Sequence, residues 1–334
     1  MKRITAILVC ALALASLFAQ GSKEGSGFTE SPLFKNEVTS VTVAALKGPT
    51  AMGLVGLMEE SENGAVDGNE YTFRLEGAPD AIVPLLAKGE VDIACIPANL
   101  ASIVYNNTDK IQVLGINTLG VLYICQNGGE ELSGAESLRG KTIYSAGKGS
   151  TPQYALETIL SGYGLEVGKD VFIEWKSEHA ECVAALIQNG KDGKAVAMLP
   201  QPFATTAMIQ NSDIRIALDL NDLWEDLAAT PLVTGVTVAT KKFIAESPES
   251  VKAFLASYKE SVDFVNSDID AAASLIEKFG IIKAQVAKKA LPYCQIVLIT
   301  GEELKSALDV YLNALYRLNP QSVGGKVPGD AFYF

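Results

Sequence analysis

The chain has 334 residues, enough for two domains of ordinary size, and 48% hydrophobic with 20% charged residues describes a folded globular protein. Its formal net charge of −12 argues against nucleic acid and anionic membrane surfaces as partners, because both reward Lys/Arg clusters. Beyond the amino terminus no stretch approaches the about 20 apolar residues of a membrane span, which excludes a channel or permease.

Residues 1–21 read as a secretory leader. Lys2 and Arg3 give the charged start, Ile4 to Phe18 the apolar run, and Ala19-Gln20-Gly21 a small-x-small cleavage site. Leu17 to Ser22 also resembles a bacterial lipoprotein box with Gln20 where the lipidated cysteine would stand. Cys10 lies inside the apolar run and is a poor acceptor. The expected location is therefore exported: periplasmic, or tethered to the outer face of the cytoplasmic membrane. Residues 22–37 are polar and Gly/Ser-rich, a flexible tether.

Val41 to Leu46 reads as a first buried strand. Lys47-Gly48-Pro49-Thr50 is a turn, and Ala51 to Glu60 a helix with Thr50 as N-cap. Tyr71 to Leu75 alternates as a second strand. Asp80 is placed to cap a helix through Leu86, and Val91 to Ile96 is a third strand before a helix from Ala98 to Tyr105. Strand and helix alternate, which predicts an α/β fold with a mostly parallel sheet. Ile111 to Ile124 reads as one extended apolar run broken at Gly115.

The pattern restarts at Thr142-Ile143-Tyr144. Ser150 with Gln153 fits a capping box for a helix to about Ser161, with Pro152 in its first turn. Strands follow at 171–175, 195–199 and 214–218, with helices at 181–188 and 203–210. Thr234 to Ala239 is a further strand. From Ser247 the sequence turns almost wholly helical, with Thr300 and Glu303 a second capping box. No repeat of fixed period is present.

Four cysteines remain beyond the leader: Cys95, Cys125, Cys182 and Cys294. They form no CxxC pair and read as small buried hydrophobes, although export permits a disulfide. With His179 the only histidine, no zinc or iron site is convincing, and neither a metal nor another cofactor is expected. Glu178-His179-Ala180-Glu181 reads as a surface helix start. No G-x-S-x-G, Walker loop or H-E-x-x-H is present, so no catalytic residue is expected.

The order of these pieces resembles a known family: solute-binding subunits of bacterial ABC importers, related to nitrate, sulfonate and thiamine-precursor binding proteins. The resemblance is carried by Val43 to Thr50, Leu86 to Ala94, Ser137 to Ile143 and Lys242 to Leu255, and it covers nearly all of the chain after the leader. It implies a two-lobe periplasmic-binding-protein-like fold of type II, each lobe a mostly parallel sheet flanked by helices, with two crossings. Lobe 1 would hold 38–124 plus 234–334, and lobe 2 would hold 125–233. It also implies a monomeric, non-enzymatic receptor for a small molecule, with an ABC permease as partner. A sensor for a receptor kinase is the alternative, and some relatives of the fold are enzymes of thiamine-pyrimidine or menaquinone synthesis.

Ligands of open α/β sheets bind past the carboxyl ends of strands. Two such ends, Lys47 to Met52 and Gly147 to Gln153, combine small residues with a helix start, where free N–H groups favour acceptor oxygens. Lys47, Thr50, Met52, Ser150 and Thr151 are therefore candidate ligand contacts. Asn99 after the third strand and Gln201 in Pro200-Gln201-Pro202 offer amides, and Asn117 lies on the expected crossing strand. Phe203, Trp175 and Trp224 read as core before ring-stacking groups.

Overall fold

A computed structural model describes residues 38–334; the expected leader and tether lie outside the described residues. Val38–Phe334 forms one compact unit built on two mixed sheets.

Sheet A begins with β1 (Thr39–Leu46), α1 (Pro49–Met52), α2 (Val55–Ser61), β2 (Asn69–Glu76), α3 (Pro79–Lys88), β3 (Ile93–Pro97), α4 (Ala98–Thr108) and β4 (Ile111–Thr118). The chain then crosses. Sheet B holds β5 (Leu122–Asn127), β6 (Thr142–Ser145), α5 (Thr151–Gly162), β7 (Phe172–Trp175), α6 (His179–Asn189), β8 (Ala195–Pro200), α7 (Phe203–Gln210), β9 (Ile214–Asp219) and α8 (Leu220–Ala228). A second crossing returns to sheet A with β10 (Gly235–Thr240), α9 (Lys241–Glu246), α10 (Pro248–Ser267), α11 (Ile269–Lys278), α12 (Ala284–Ala290), β11 (Ile296–Ile299) and α13 (Gly301–Leu318).

The strand orders are β11-β4-β10-β3-β1-β2 and β7-β6-β8-β5-β9. Four of six strands in sheet A and four of five in sheet B run the same way. The strand following each crossing, β5 or β10, is inserted antiparallel between two others. Each crossing therefore runs from one sheet's carboxyl edge to the other's, and connectivity alone turns those edges toward each other.

The crossings are held side by side. Thr234 Oγ1 donates to Leu119 O at 2.6 Å, and Leu232 N donates to Asn221 Oδ1 at 3.1 Å. Asn221 also packs on Gly120, where an added Cβ would lie 2.4 Å from Asn221 Cβ. One apolar core runs through both halves, from Ile96 and Val236 through Leu308 and Tyr311 of α13 to Leu156 and Trp224. The buried positions Leu304, Leu308, Tyr311, Leu312 and Leu315 give α13 a continuous inward stripe.

Several local expectations change. The helix expected from Ala51 to Glu60 breaks into α1 and α2, because Ser261 of α10 inserts between them. Its Oγ donates to Gly53 O at 2.7 Å and accepts from Leu57 N at 3.1 Å, replacing the bond those two groups would make with each other. Gly48, not Thr50, precedes α1, and Thr50 Oγ1 donates back to Leu46 O. Ala78 rather than Asp80 caps α3. The run from Ile111 to Ile124 is two strands in different sheets, interrupted at 119–121 rather than at Gly115, so the crossing falls ahead of the boundary expected at 124/125. Ser150 caps α5 by position, but Ser150 Oγ donates to Gly147 O and Gln153 Oε1 accepts from Gly149 N. Thr300 makes no side-chain cap.

Replacing Gly120 by Ala should push α8 off the first crossing and lower stability by about 1–3 kcal/mol. Urea unfolding followed by circular dichroism measures the loss, and an unchanged midpoint would refute the packing described.

Candidate functional site

The carboxyl edges meet in a buried polar seam. Pro97 and Thr118 are both register partners of Gly235, at the first residue of β10, so the ends of β3 and β4 and the start of β10 share one rim. Gly235 is required there: an added Cβ would stand 2.5 Å from Asn117 Oδ1 and 2.9 Å from Thr50 Cγ2. Thr50 at the start of α1 and Asn117 near the end of β4 thus close on the same point. Asn117 Nδ2 donates to Thr237 Oγ1 at 3.0 Å, and Thr118 Oγ1 donates to Asn117 Oδ1 at 2.9 Å, which fixes the amide.

A hydrogen-bonded chain joins the sheets. Tyr311 OH of α13 donates to Thr151 Oγ1 at 3.2 Å, Thr151 Oγ1 donates to Asn99 Oδ1 at 3.1 Å, and Asn99 Nδ2 donates to Ser322 O at 3.2 Å. Asn99, Thr151 and Tyr311 are all buried. The Tyr311 ring also meets Trp224 of α8 at 5.5 Å between centroids. Two residues expected to hold ligand therefore hold each other, at the floor between the edges.

The other expected residues divide. Gln201 follows β8 and is buried, with Oε1 accepting from Thr205 Oγ1 at 2.8 Å. Ser150 is partly buried beside the glycines 147 and 149, and Lys47 is exposed at the rim. Met52 points into the apolar layer under sheet A with Ala51, Leu54 and Phe254, because α1 lays that face on the sheet. At four residues α1 is too short to carry a helix dipole of weight, so the anion-binding role expected of its start rests on α5 alone, which has twelve.

His179 is not the surface residue its acidic neighbours suggested. It opens α6 partly buried against Phe203, with ring centroids 5.2 Å apart, and burial pushes its imidazole down to about 4. The contact is made by a helix 24 residues further on, which no local pattern announces. The four cysteines among the described residues are buried and free, and burial raises the thiols of Cys95 and Cys182 to about 11, so neither is a ready nucleophile. Among the described residues no three His, Cys, Asp or Glu side chains converge as metal ligands, and no helix is long and apolar enough to cross a membrane. A cavity of about 320 Å³ lies away from the seam, between α2 and α10, lined by Glu60, Ser257 and Phe264 among others.

The fold is that of periplasmic binding proteins. An ABC transporter structure from Parabacteroides distasonis superposes with a TM-score of 0.74 at 24% identity, covering 89% of this chain and 99% of that one. The periplasmic aliphatic sulphonate binding protein SsuA of Escherichia coli gives 0.69 at 16%, covering 87% and 97%. The alkanesulfonate-binding protein SsuA of Xanthomonas axonopodis, bound to MOPS, gives 0.66 at 14%, covering 86% and 96%. The model of a menaquinone-biosynthesis family matches residues 179–317. No curated protein sequence matches the chain.

Two predictions follow from the seam. Thr151→Val keeps the shape but leaves Asn99 Oδ1 and Tyr311 OH without their partner, and should cost about 1–3 kcal/mol in urea unfolding. Because His179 has its pKa lowered by burial, the folded state binds its proton less readily than the unfolded chain, whose histidine titrates near 6.5. The stability due to neutral His179 is complete above that value and is lost as pH falls toward about 4. A His179→Gln variant should show a shallower loss over this window, and an identical pH profile would contradict the burial.

Proposed function

We propose that the chain is the extracytoplasmic solute-binding component of an ABC importer, which takes a small organic molecule between the two carboxyl edges and delivers it to a membrane permease. The observation that carries the proposal is the facing of those edges across a polar seam, with Thr50 and Asn117 on one side and Ser150 and Gln201 on the other. The relatives in fold support it, since those described are an ABC transporter and sulfonate-binding proteins. The expected leader supports action outside the cytoplasm. The protein works as a monomer whose two lobes follow the two sheets, with the boundary expected at 124/125 moved back to the crossing at 119–121, and the crossings act as a hinge that closes on ligand.

The free N–H groups at the start of α5 suit acceptor oxygens, so the solute carries a polar or anionic end and an apolar body. No catalytic chemistry is assigned. A second reading, catalysis, is favoured by the menaquinone-biosynthesis match alone, and turnover of a metabolite pool by purified protein would establish it.

A thermal-shift screen across sulfonates, carboxylates, phosphates, amino acids and heterocycles tests the proposal. A solute at one hundred times its dissociation constant should stabilise the fold by about 2.7 kcal/mol. The double variant Thr50→Ala, Ser150→Ala should weaken the best binder at least several-fold by calorimetric titration. No stabilisation by any compound would sink the receptor reading, and an unchanged affinity in the double variant would move the site elsewhere.

A further inference from the structure

The carboxyl edge of sheet B carries two buried polar atoms to which the described protein gives no partner. Gln201 is 1% exposed. Its Oε1 accepts from Thr205 N at 3.3 Å and Thr205 Oγ1 at 2.8 Å. A backbone N–H can only donate, so the amide oxygen must face Thr205 and the orientation is fixed. Nε2 is then left as a donor, and among the described residues it has no acceptor. The second atom is Nδ1 of His179, equally buried and equally without a partner. Phe203 links the two. It lies two residues after Gln201, and its ring meets the imidazole at 5.2 Å and 41°. His179 and Phe203 both keep part of their surface open, so the corner is reachable from outside.

An unpaired buried donor or acceptor costs about 1–3 kcal/mol, and natural proteins keep few. Two at the carboxyl edge of one sheet, with Phe203 against His179 and two residues from Gln201, point to a partner that arrives with a ligand. The corner has little pull on an anion. The imidazole is neutral near pH 7. The nearest cation along α6 and the loop before it, Lys176, is paired with Glu174 at 2.5 Å and lies over the Tyr144 ring. An aromatic face, an amide donor and a neutral imidazole match the edge and face of a flat ring.

We propose that Gln201, His179 and Phe203 form a subsite for an uncharged heteroaromatic end of the solute. The ring lies against Phe203, and a ring nitrogen or carbonyl oxygen at its edge accepts from Gln201 Nε2. This rests on the solute-binding reading and adds which end of the solute sheet B receives, leaving the polar or anionic end to Thr50, Asn117 and the start of α5.

Calorimetric titration with three matched acids tests the subsite: pyridine-3-carboxylate, benzoate and cyclohexanecarboxylate. The first has a ring and an edge acceptor, the second a ring alone, the third neither. Wild-type protein should bind them in that order, with about a tenfold gap between the first two, the worth of one hydrogen bond. Gln201→Glu keeps an oxygen for Thr205 and removes the donor, so it should erase that gap. Phe203→Leu should erase the gap between benzoate and cyclohexanecarboxylate, and it carries the test if Gln201→Glu does not fold. His179→Ala should weaken pyridine-3-carboxylate and leave cyclohexanecarboxylate unchanged. Equal affinities for the three acids, or a gap that survives Gln201→Glu, overturn the subsite. If none of the three binds while another compound in the wider screen does, the subsite fails and the receptor reading stands; if nothing binds, both fail.

Discussion

One buried hydrogen bond, from Thr151 Oγ1 to Asn99 Oδ1, sets how the two halves of this fold meet. It joins the first turn of α5 on sheet B to the first turn of α4 on sheet A, and Tyr311 of α13 seals it from below. Both crossings already bring the carboxyl edges together by connectivity, and Thr234 and Asn221 keep them adjacent. The bond then fixes the floor of the space between the edges. Thr50, Asn117 and Gly235 form one wall above it, and the loops after β6 and β8 form the other. Without the bond the shared apolar core and the paired crossings would still join the sheets, but Asn99 Oδ1 and Tyr311 OH would be buried without their partner at the floor between the rims.

The same floor separates residues that shape the site from residues free to use it. Asn99 and Thr151 satisfy each other and the backbone of Ser322, so their role is to position. Gln201 differs, because its acceptor is engaged within α7 while its donor is not. Buried amides in a seam of this kind are expected to be fully paired, and the exception marks where chemistry from outside fits. The cysteines carry no such signal. They lie in apolar layers with raised thiol pKa values and pack as small hydrophobes.

Much of the fold was legible because its signals are local. Alternating βα units gave both sheets, and α7 and α10 start at the proline-marked turns that announce them. The failures have long-range causes. Nothing near Gly53 reveals that Ser261, 208 positions later, takes over its helix bond. In Ile111 to Ile124 the change of sheet coincides with Asn117-Thr118 and Gly120, a weak mark beside Gly115, which reads as the break but lies inside β4. The short strand β11 completes sheet A inside a stretch that otherwise reads as helix, although Ile296-Val297-Leu298-Ile299 is rich in β-branched residues. The structure puts Asn99, Asn117, Thr151 and Gln201 at or just past strand ends, where the sequence pattern puts them. Composition alone could not tell Met52 in the core from Thr50 at the rim, nor show that Phe203 would bury His179.

Hydrogen–deuterium exchange, with and without a saturating concentration of the best-binding compound, tests the central claim most directly. If solute is held between the facing edges, protection should concentrate in 47–52, 97–99, 117–121, 146–151 and 200–206, segments far apart in sequence and joined only by this arrangement. Protection centred instead on α2 and α10, around the cavity beside Glu60 and Phe264, would contradict the account.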